Sequence, residues 1–298
     1  MKSIVRVLIS IMFVAGMAAS TAHAAGTVGG VFLIVGTSAR CEAMGGACIA
    51  NVKDASAVNI NPAAIADQPG KQATFMHNET LLDLSQEYIS YTSSYGDKGM
   101  GASLVYMDMG SQSAYSTTNV SLGTFRPTSY ALTLAYSMRS TKELSYGAAI
   151  KYVKEKIADE SGTAFAMDAG VVYKPDKAPW RAAVVVQNFG TKIKVGTSSD
   201  PLPLTLKVGG AYTMPKTPLT FTSDAYFIKN QSPEYHVGGE YMVNDYIALR
   251  AGYNSADDLD NGFTFGLGVS QDKFALDYAF IPMGVFGDSH RFSFSAKF

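Results

Sequence analysis

Large apolar residues and small residues alternate with a period of two along most of the chain after residue 70. Between residues 129 and 138 the even positions hold tyrosine, leucine or methionine, and the odd positions hold serine, alanine or threonine. Residues 262–270 and 273–280 repeat this arrangement with phenylalanine, leucine, tyrosine or valine on the large-residue face. A period of two is typical of β-strands, whereas helices repeat every 3.6 residues. The alternation therefore predicts an all-β protein.

Fourteen predicted strands account for this pattern, and the segments between them are rich in the turn-forming residues Pro, Asp, Asn and Gly. Short turns alternate with longer connections, which span 108–128, 155–163, 190–202, 254–261 and 282–288. This asymmetry is expected of an outer-membrane barrel with short periplasmic turns and longer extracellular loops. The predicted strands span 71–78, 86–95, 99–107, 129–138, 143–154, 164–174, 180–189, 203–213, 218–228, 233–243, 246–253, 262–270, 273–281 and 289–298.

The small-residue face distinguishes a membrane barrel from a secreted β-sandwich, which is the alternative. A soluble strand presents charged or long polar side chains to water, but here the second face is mostly Gly, Ala, Ser and Thr with a charge at intervals. Lipid outside, a crowded lumen inside and aromatic residues at both membrane interfaces explain this pattern. We predict a single-chain transmembrane antiparallel β-barrel of about 14 strands.

Composition agrees with this prediction. Charged residues make up 16% of the chain and the net charge is −1, so there is no basic surface for nucleic acid. A hydrophobic content of 47% excludes a disordered chain. After residue 25 no apolar run reaches the ~18–20 residues that a membrane helix needs.

The first 24 residues have the features of a secretory signal peptide. Lys2 and Arg6 precede an apolar stretch, and Ala22-His23-Ala24 forms an A-x-A cleavage site. An uncleaved membrane anchor is the alternative, but the apolar stretch is short for one. We predict a signal peptide at 1–24, an N-terminal segment at 25–70, a transmembrane barrel at 71–298, and location in the bacterial outer membrane.

Residues 25–70 break the alternating pattern and are rich in small residues. A barrel of this size lies between small barrels that side chains fill and open porins. We therefore expect this segment to fold into the lumen as a hatch, the alternative being a flexible periplasmic leader. Its distinctive residues are Gly45, Gly46, Asp54, Asn61, Pro62 and Ala63.

Four short motifs of this segment resemble those of a known family. They are Gly-Thr-Ser-Ala-Arg at 36–40, Met-Gly-Gly-Ala at 44–47, Asp-Ala-Ser-Ala at 54–57 and Asn-Pro-Ala at 61–63. Together with a following barrel that ends in Phe298, they resemble the PorV/PorQ family, which belongs to the wider FadL-like group of outer-membrane barrels. The resemblance implies a 14-stranded barrel with its N-terminal segment in the lumen.

The resemblance also implies two functions. PorV-like members serve type IX protein secretion, whereas FadL-like members take up long-chain fatty acids or other hydrophobic molecules. The chain is shorter than typical FadL transporters, which favours a non-enzymatic accessory of protein export or surface attachment. The expected partners are outer-membrane lipid, the outer-membrane assembly machinery, and either secretion-system proteins or a small hydrophobic ligand.

Charged residues recur on the small-residue face, and we expect them to brace the barrel wall and seat the hatch. A polar conduction path is the alternative, but paired charges neutralise one another. Each predicted cross-strand pair is nearly symmetric about a turn or loop. The pairs are Lys151 with Asp168, Lys207 with Asp224, Glu240 with Arg250, and Asp277 with Arg291.

The last strand ends on Phe298, after Phe292, Phe294 and Ala296 on the same face. This ending resembles the C-terminal signal that the assembly machinery recognises, although Ala296 stands where an aromatic residue is common. We predict that Phe298 is part of an assembly signal.

Residues with reactive chemistry are few. No motif of a hydrolase, a nucleotide-binding enzyme or a zinc protease is present, and we expect no catalytic residue, cofactor or metal site. His236 near lumen carboxylates is the one catalytic candidate, and the role of an ordinary hydrogen-bonded histidine is favoured over a catalytic one.

Cys41 and Cys48 either form a disulfide, since the periplasm is oxidising, or are two small packing residues. The acidic loop 257–261 lacks the spacing of a calcium site and favours a solvated loop.

Overall fold

The computed structural model describes residues 28–80, 84–256 and 261–298. Within these residues fourteen strands close into one antiparallel barrel, which confirms the predicted fold. The barrel strands are β1 (Gly70–Glu79), β2 (Ser85–Tyr95), β3 (Lys98–Asp108), β6 (Thr128–Arg139), β7 (Leu144–Ile157), β8 (Glu160–Tyr173), β9 (Trp180–Gly190), β12 (Thr205–Thr213), β13 (Leu219–Ile228), β14 (Glu234–Met242), β15 (Ile247–Asn254), β16 (Phe263–Gln271), β17 (Phe274–Pro282) and β18 (Asp288–Lys297).

Four further strands and five short helices are not part of the barrel wall. The strands form two separate hairpins, and the helices are of the 3-10 type except for two α-helical turns. The hairpins are β4 (Gln112–Tyr115) with β5 (Ser121–Phe125), and β10 (Ile193–Val195) with β11 (Ser198–Asp200). The α-helical turns are Ala39–Glu42 and Ala57–Ile60, and the 3-10 helices are Val31–Ile34, Pro62–Asp67 and Gly284–Phe286.

The first and last strands close the cylinder. Phe75 of β1 lies opposite Phe294 of β18, and Gln72 lies opposite Lys297. Closure removes the open edges that a sheet would otherwise leave, so every strand of the wall has two hydrogen-bonded neighbours. Both ends of the wall lie at one rim, where all the turns between strands are short, and this rim is the periplasmic one.

The large side chains of the wall point outward. Phe263, Leu276 and Phe294 remain 51%, 52% and 46% exposed, whereas a β-sandwich would bury them between its sheets. The opposite face of each strand is buried inside the barrel, where Ala, Ser and Thr predominate. The direction of the side chains therefore matches a membrane barrel and excludes the sandwich.

The apolar core lies inside the barrel, between the wall and residues 28–69. Met44, Ile49, Val58 and Ile65 of this segment are fully buried. They pack in one cluster with small and medium side chains of the wall, which include Ala149, Val172 and Val185. Small residues on the inner face leave the room that the segment occupies.

Three of the predicted loops differ in the structure, one of which, at 190–202, contains the hairpin of β10 and β11. The connection predicted at 155–163 is a tight turn, because the pairing of β7 with β8 continues as far as Ile157 and Glu160. Polar side chains at the extracellular end of a strand do not prevent this pairing, since they reach water there. The loop at 108–128 contains the hairpin of β4 and β5. Among the described residues, no helix has the length and hydropathy that crossing a membrane requires.

Candidate functional site: the lumen and its N-terminal segment

The N-terminal segment, residues 28–69, contacts strands all the way round the barrel. Its backbone and side chains hydrogen-bond to inward-facing groups of β1, β6, β13, β14, β16 and β18. It begins near the extracellular rim, where the Gly30 amide donates to Glu155 over 3.1 Å. It ends near the periplasmic rim, where Arg139 donates to Asp67 over 3.2 Å. The segment therefore runs through the lumen from one rim to the other.

A disulfide between Cys41 and Cys48 encloses a loop of this segment, with the two Cα atoms 5.6 Å apart. The loop carries Gly45, whose amide donates to Thr264 over 2.9 Å and whose carbonyl accepts from Nδ1 of His236 over 2.6 Å. The disulfide therefore shapes a loop that bonds to β14 and β16.

Gly45 and Gly46 both have positive φ angles, 67° and 84°, which glycine adopts without strain. A Cβ on Gly45 would lie 2.5 Å from the carbonyl oxygen of Tyr253, and one on Gly46 would lie 3.2 Å from the ring of His236. The Gly46 carbonyl accepts from the Tyr226 hydroxyl over 2.7 Å. The two glycines thus let the backbone turn directly against the wall.

Asp54 and Asn61 organise the two short helical turns that follow. Oδ1 of Asp54 accepts from the Ser56 amide over 2.8 Å, just before the turn Ala57–Ile60. Oδ1 of Asn61 accepts from the Ala63 amide over 3.1 Å and caps the 3-10 helix that begins at Pro62. Asn61 thus has the usual capping role, and proline is favoured at the first helical position. The Asp54 contact is an Asx turn, since the N-cap of the turn Ala57–Ile60 is Ser56, which makes no side-chain cap bond.

The helix Pro62–Asp67 lies directly on the wall. A Cβ on Gly147 of β7 would lie 2.5 Å from the carbonyl carbon of Pro62. Ser137 of β6 donates to the Ala63 carbonyl over 3.0 Å. This close approach requires glycine at position 147. The sequence pattern predicted small residues on the inner face of the wall but not the positions at which the segment touches it.

Arg40 links the segment to a buried ionic network. Its guanidinium donates to both carboxylate oxygens of Glu240 on β14, over 2.8 and 3.0 Å. Lys53 donates to the same carboxylate over 2.6 Å, and Arg250 of β15 donates to it over 2.9 Å. Arg250 also donates to Asp277 of β17 over 2.7 Å. Five charged groups therefore join the segment to β14, β15 and β17.

The charge of Arg40 acts on its neighbour in the segment. The positive guanidinium, together with burial, lowers the pKa of Lys53 to about 8, although half of the Lys53 side chain is exposed. Arg40 and Lys53 were not predicted as site residues, because a single cation in a segment without periodic structure gives no sign of its partner.

Two of the four predicted charge pairs are present. Glu240 lies directly opposite Arg250 in the register and bonds to it. Lys151 and Asp168 lie on neighbouring strands two positions out of direct register, and their charged groups are 2.7 Å apart. Long side chains reach such diagonal neighbours.

The other two predicted pairs are wrong. Lys207 lies opposite Tyr226, with its ammonium 4.2 Å from the centre of that ring, and Asp224 lies opposite Gly209 and accepts from the Ile49 amide. Arg291 lies opposite Ala279 and donates to Glu42 of the segment over 2.8 Å, whereas Asp277 bonds to Arg250. In both hairpins the register is shifted by two residues from the predicted symmetry, and the N-terminal segment supplies alternative partners.

The candidate His236 bonds to the segment. The two other described histidines lie elsewhere, since His77 on β1 pairs with Glu87 over 2.6 Å and His290 on β18 bonds to Tyr278. Phe298 lies at the periplasmic rim, 68% exposed, and its amide donates to the Lys71 carbonyl. The signal peptide at 1–24 and the acidic residues 257–260 lie outside the described residues.

Cavities lie on both the extracellular and the periplasmic side of the segment. One of about 270 Å³ lies on its extracellular side, and its lining mixes apolar side chains with charged ones, among them Phe32, Val105, Ile228, Lys207 and Glu234. Another of about 290 Å³ lies at the periplasmic rim. Within the described parts of the chain, no group of three or more His, Cys, Asp or Glu residues is placed to hold a metal ion.

A sequence model of the family described as Type IX secretion system protein PorV matches residues 18–217, which is well over half of the chain. The chain belongs to the PorV family. The match includes the motifs of the N-terminal segment and the strands up to the turn after β12. No curated protein matches the chain.

Solved structures with the same fold are FadL-like outer-membrane channels. The CymD monoaromatic hydrocarbon channel is 12% identical, with a TM-score of 0.66 over 89% of this chain and 98% of CymD. A FadL homologue of Pseudomonas aeruginosa is 13% identical, with a TM-score of 0.62 over 88% of this chain and 98% of the homologue. The toluene transporter TodX of Pseudomonas putida is 14% identical, with a TM-score of 0.61 over 86% of this chain and 95% of TodX.

At these identities the likeness concerns the fold. Together with the closed barrel and membership of the PorV family, it places the protein in the bacterial outer membrane.

Proposed function

We propose that the protein is a non-enzymatic accessory of protein export and surface attachment, of the PorV type. The observation that carries this proposal is the extracellular hairpin of β4 and β5. Its side chains Tyr115, Val120 and Leu122 are 60%, 60% and 67% exposed, beyond the end of the wall. Apolar groups held in water at a loop tip favour a protein-binding role over a structural one.

The hairpin has the geometry of a docking element. Among the described residues, β4 and β5 pair only with each other, so both outer edges of the hairpin have free backbone groups that an extended chain can pair with. Its base is held to the wall, since Arg126 donates to Asp108 over 2.7 Å and the Gly110 amide donates to the same carboxylate over 3.0 Å. The hairpin is therefore presented at a defined place above the barrel.

The proposal includes a hatch. Residues 25–70 are proposed to obstruct the lumen, and the contacts of residues 28–69 with six strands support this role. With the lumen occupied, an exported protein is proposed to be bound at the extracellular face rather than passed through this barrel. The proposed partners are outer-membrane lipid, secretion-system proteins and, through Phe298, the outer-membrane assembly machinery.

A second candidate function is transport of a small hydrophobic molecule. The extracellular cavity of about 270 Å³ favours it, because Phe32, Val105 and Ile228 offer apolar surface beneath the outer loops. Lys207, Glu234 and other polar groups line the same cavity, and such a mixed lining is less suited to a purely apolar molecule.

Copurification from the native outer membrane tests the export proposal. An affinity-tagged protein is compared with a triple variant, Tyr115→Ser with Val120→Ser and Leu122→Ser. The matched control is Val285→Ser, which removes a side chain that is 94% exposed in another outer loop. We expect the triple variant to lose exported proteins from the copurified set and to reduce their surface attachment, and the control to retain both.

Three results would count against this proposal. If the triple variant copurifies the same exported proteins as the wild type, the hairpin does not bind them. If exported proteins still attach to the surface of cells that lack the gene, the protein is not an export accessory. Loss of uptake of a labelled fatty acid or monoaromatic compound in the same cells supports the transport function instead.

A further inference from the structure

The cavity at the periplasmic rim has an apolar floor. Its volume is about 290 Å³, and it lies between the end of the N-terminal segment and the wall. Ala50, Val52 and Ala64 line it from the segment, and Val172 lines it from β8. All four side chains are buried. The cavity opens at the same rim as the short turns, so it faces the periplasm.

Cations surround this floor without matching carboxylates. Lys174, Arg181 and Lys297 line the cavity, and no ion pair is present for any of these three within the described residues. Lys53, the fourth cation of the lining, is held by Glu240. The cavity therefore has an excess of positive charge.

The one carboxylate of the lining is already engaged. Asp67 accepts from Arg139 over 3.2 Å and from the Ser145 hydroxyl over 2.8 Å. Both donors come from the wall beside the cavity. A single carboxylate that is already paired with Arg139 does not balance the three cations.

Two buried amide oxygens line the same cavity. Gln68 and Gln72 are only 8% and 4% exposed, and Oε1 of each has no hydrogen-bond partner within the structure. A buried acceptor left without a donor costs about 1–3 kcal/mol. Both oxygens are closed off from solvent as they lie, and each becomes an acceptor for N–H or O–H donors of a molecule in the cavity when its side chain turns toward it.

The unpaired cations face the lumen and not the bilayer. Arg181 shares its face of β9 with the buried residues Ala183 and Val185, and Lys297 shares its face of β18 with the buried Ser293 and Ser295. The phosphates of the surrounding lipid leaflet lie on the other side of the wall. The lipid that surrounds the barrel therefore does not supply the missing anions.

We propose that this cavity binds an acidic peptide segment of a periplasmic protein. Its carboxylates pair with Lys174, Arg181 and Lys297, its backbone N–H groups donate to Gln68 and Gln72, and its side-chain carbons pack on the apolar floor. A free phosphate ion supplies negative charge but does not fill an apolar floor. The site lies at the opposite rim from the β4–β5 hairpin, so it stands independently of the export proposal.

Fluorescence anisotropy tests this site with the full-length protein in an uncharged detergent. The probe is a fluorescein-labelled octapeptide of alternating Glu and Ala, and its partner probe has Gln in place of Glu. We expect saturable binding of the Glu peptide that weakens as salt is raised, and at least tenfold weaker binding of the Gln peptide. Arg181→Gln combined with Lys174→Gln is expected to weaken binding of the Glu peptide at least tenfold.

Two further variants make the result specific. Lys142→Gln removes one exposed charge from a turn at the same rim, outside the cavity lining, and is expected to change the affinity less than twofold. Gln72→Leu leaves the charge unchanged and is expected to weaken binding severalfold, because an acceptor for a peptide N–H is lost. Heat-dependent gel mobility checks that every variant forms the folded barrel.

Three outcomes would overturn the proposal. They are absence of binding, an equal effect of Lys142→Gln and the double variant, and displacement of the peptide by inorganic phosphate or phosphatidylglycerol nanodiscs at equal negative charge. The last outcome assigns the cavity to an anion or a lipid headgroup. None of these outcomes depends on the extracellular hairpin, and failure of the hairpin test leaves this result unchanged.

Discussion

Arg40 and Glu240 lie 200 positions apart in the sequence and form a two-pronged ion pair inside the barrel. Both side chains are almost completely buried. Removing either partner of such a buried pair strongly destabilises the folded protein, because the remaining charge has no water around it. The pair therefore ties the position of the N-terminal segment to the register of β14.

Replacing Glu240 by Gln is expected to loosen the segment and destabilise the barrel. Arg40, Lys53 and Arg250 all donate to this carboxylate, and removal of one partner of a buried pair costs about 3–5 kcal/mol. The temperature at which the barrel unfolds on a gel, and cleavage of the segment by an added protease, measure the two effects.

The control for this experiment is Glu234→Gln, which changes a carboxylate whose contact with His236 is longer, 3.4 Å. A smaller effect is expected from it. If Glu240→Gln changes only the ion conductance of the barrel, with the same unfolding temperature and protease resistance, the bracing role is wrong.

The neighbouring glycines of β14 provide a matched pair of substitutions. A Cβ on Gly238 would lie 2.5 Å from the Met44 carbonyl oxygen, whereas a Cβ on Gly239 meets no atom within 4 Å. Gly238→Ala is therefore expected to lower the free energy of unfolding by about 1–3 kcal/mol through overpacking, and Gly239→Ala is expected to have little effect. Thermal or urea unfolding in detergent measures both, and equal effects would show that the segment does not press on the wall here.

Removal of the disulfide is expected to free the loop that carries Gly45. Closing a loop of this length is worth about 2–3 kcal/mol in the chain-entropy description. In the variant with Cys41→Ser and Cys48→Ser we expect faster proteolysis of the segment and an unchanged barrel. Mass spectrometry of the fragments locates the cuts; cuts confined to the extracellular loops at the wild-type rate contradict the prediction.

Because the pKa of Lys53 is lowered in the folded protein, the free energy of unfolding depends on pH in a defined direction. Its value of about 8 in the folded protein lies below the ordinary value of 10.5, so between these values the unfolded chain binds more protons. The contribution of Lys53 to the free energy of unfolding therefore rises with pH from about 8 to about 10.5. We expect Lys53→Met to lose this rise in urea unfolding at pH 7.5 and 10, and an unchanged pH dependence would contradict the assignment.

The charge pairs show how far sequence reasoning reaches into the lumen. Symmetry about a tight turn located Glu240 and Arg250 opposite each other. For Lys207 and for Arg291 the true register differs from the simple symmetry by two residues. A shift of two residues keeps every side chain on its own face, so the alternation of large and small residues carries no information that would detect it.

The alternating pattern was sufficient for the barrel, its approximate number of strands and the outward direction of the large side chains, because these depend on local periodicity and on the polarity of the surroundings. Partners such as Arg40 with Glu240, or Gly45 with Thr264, come together only when the wall closes around the N-terminal segment. The same holds for the periplasmic cavity, whose cations and glutamines come from distant parts of the chain. Contacts between residues so far apart in the chain are set by the packing of the whole lumen, for which no stretch of the chain contains a local signal.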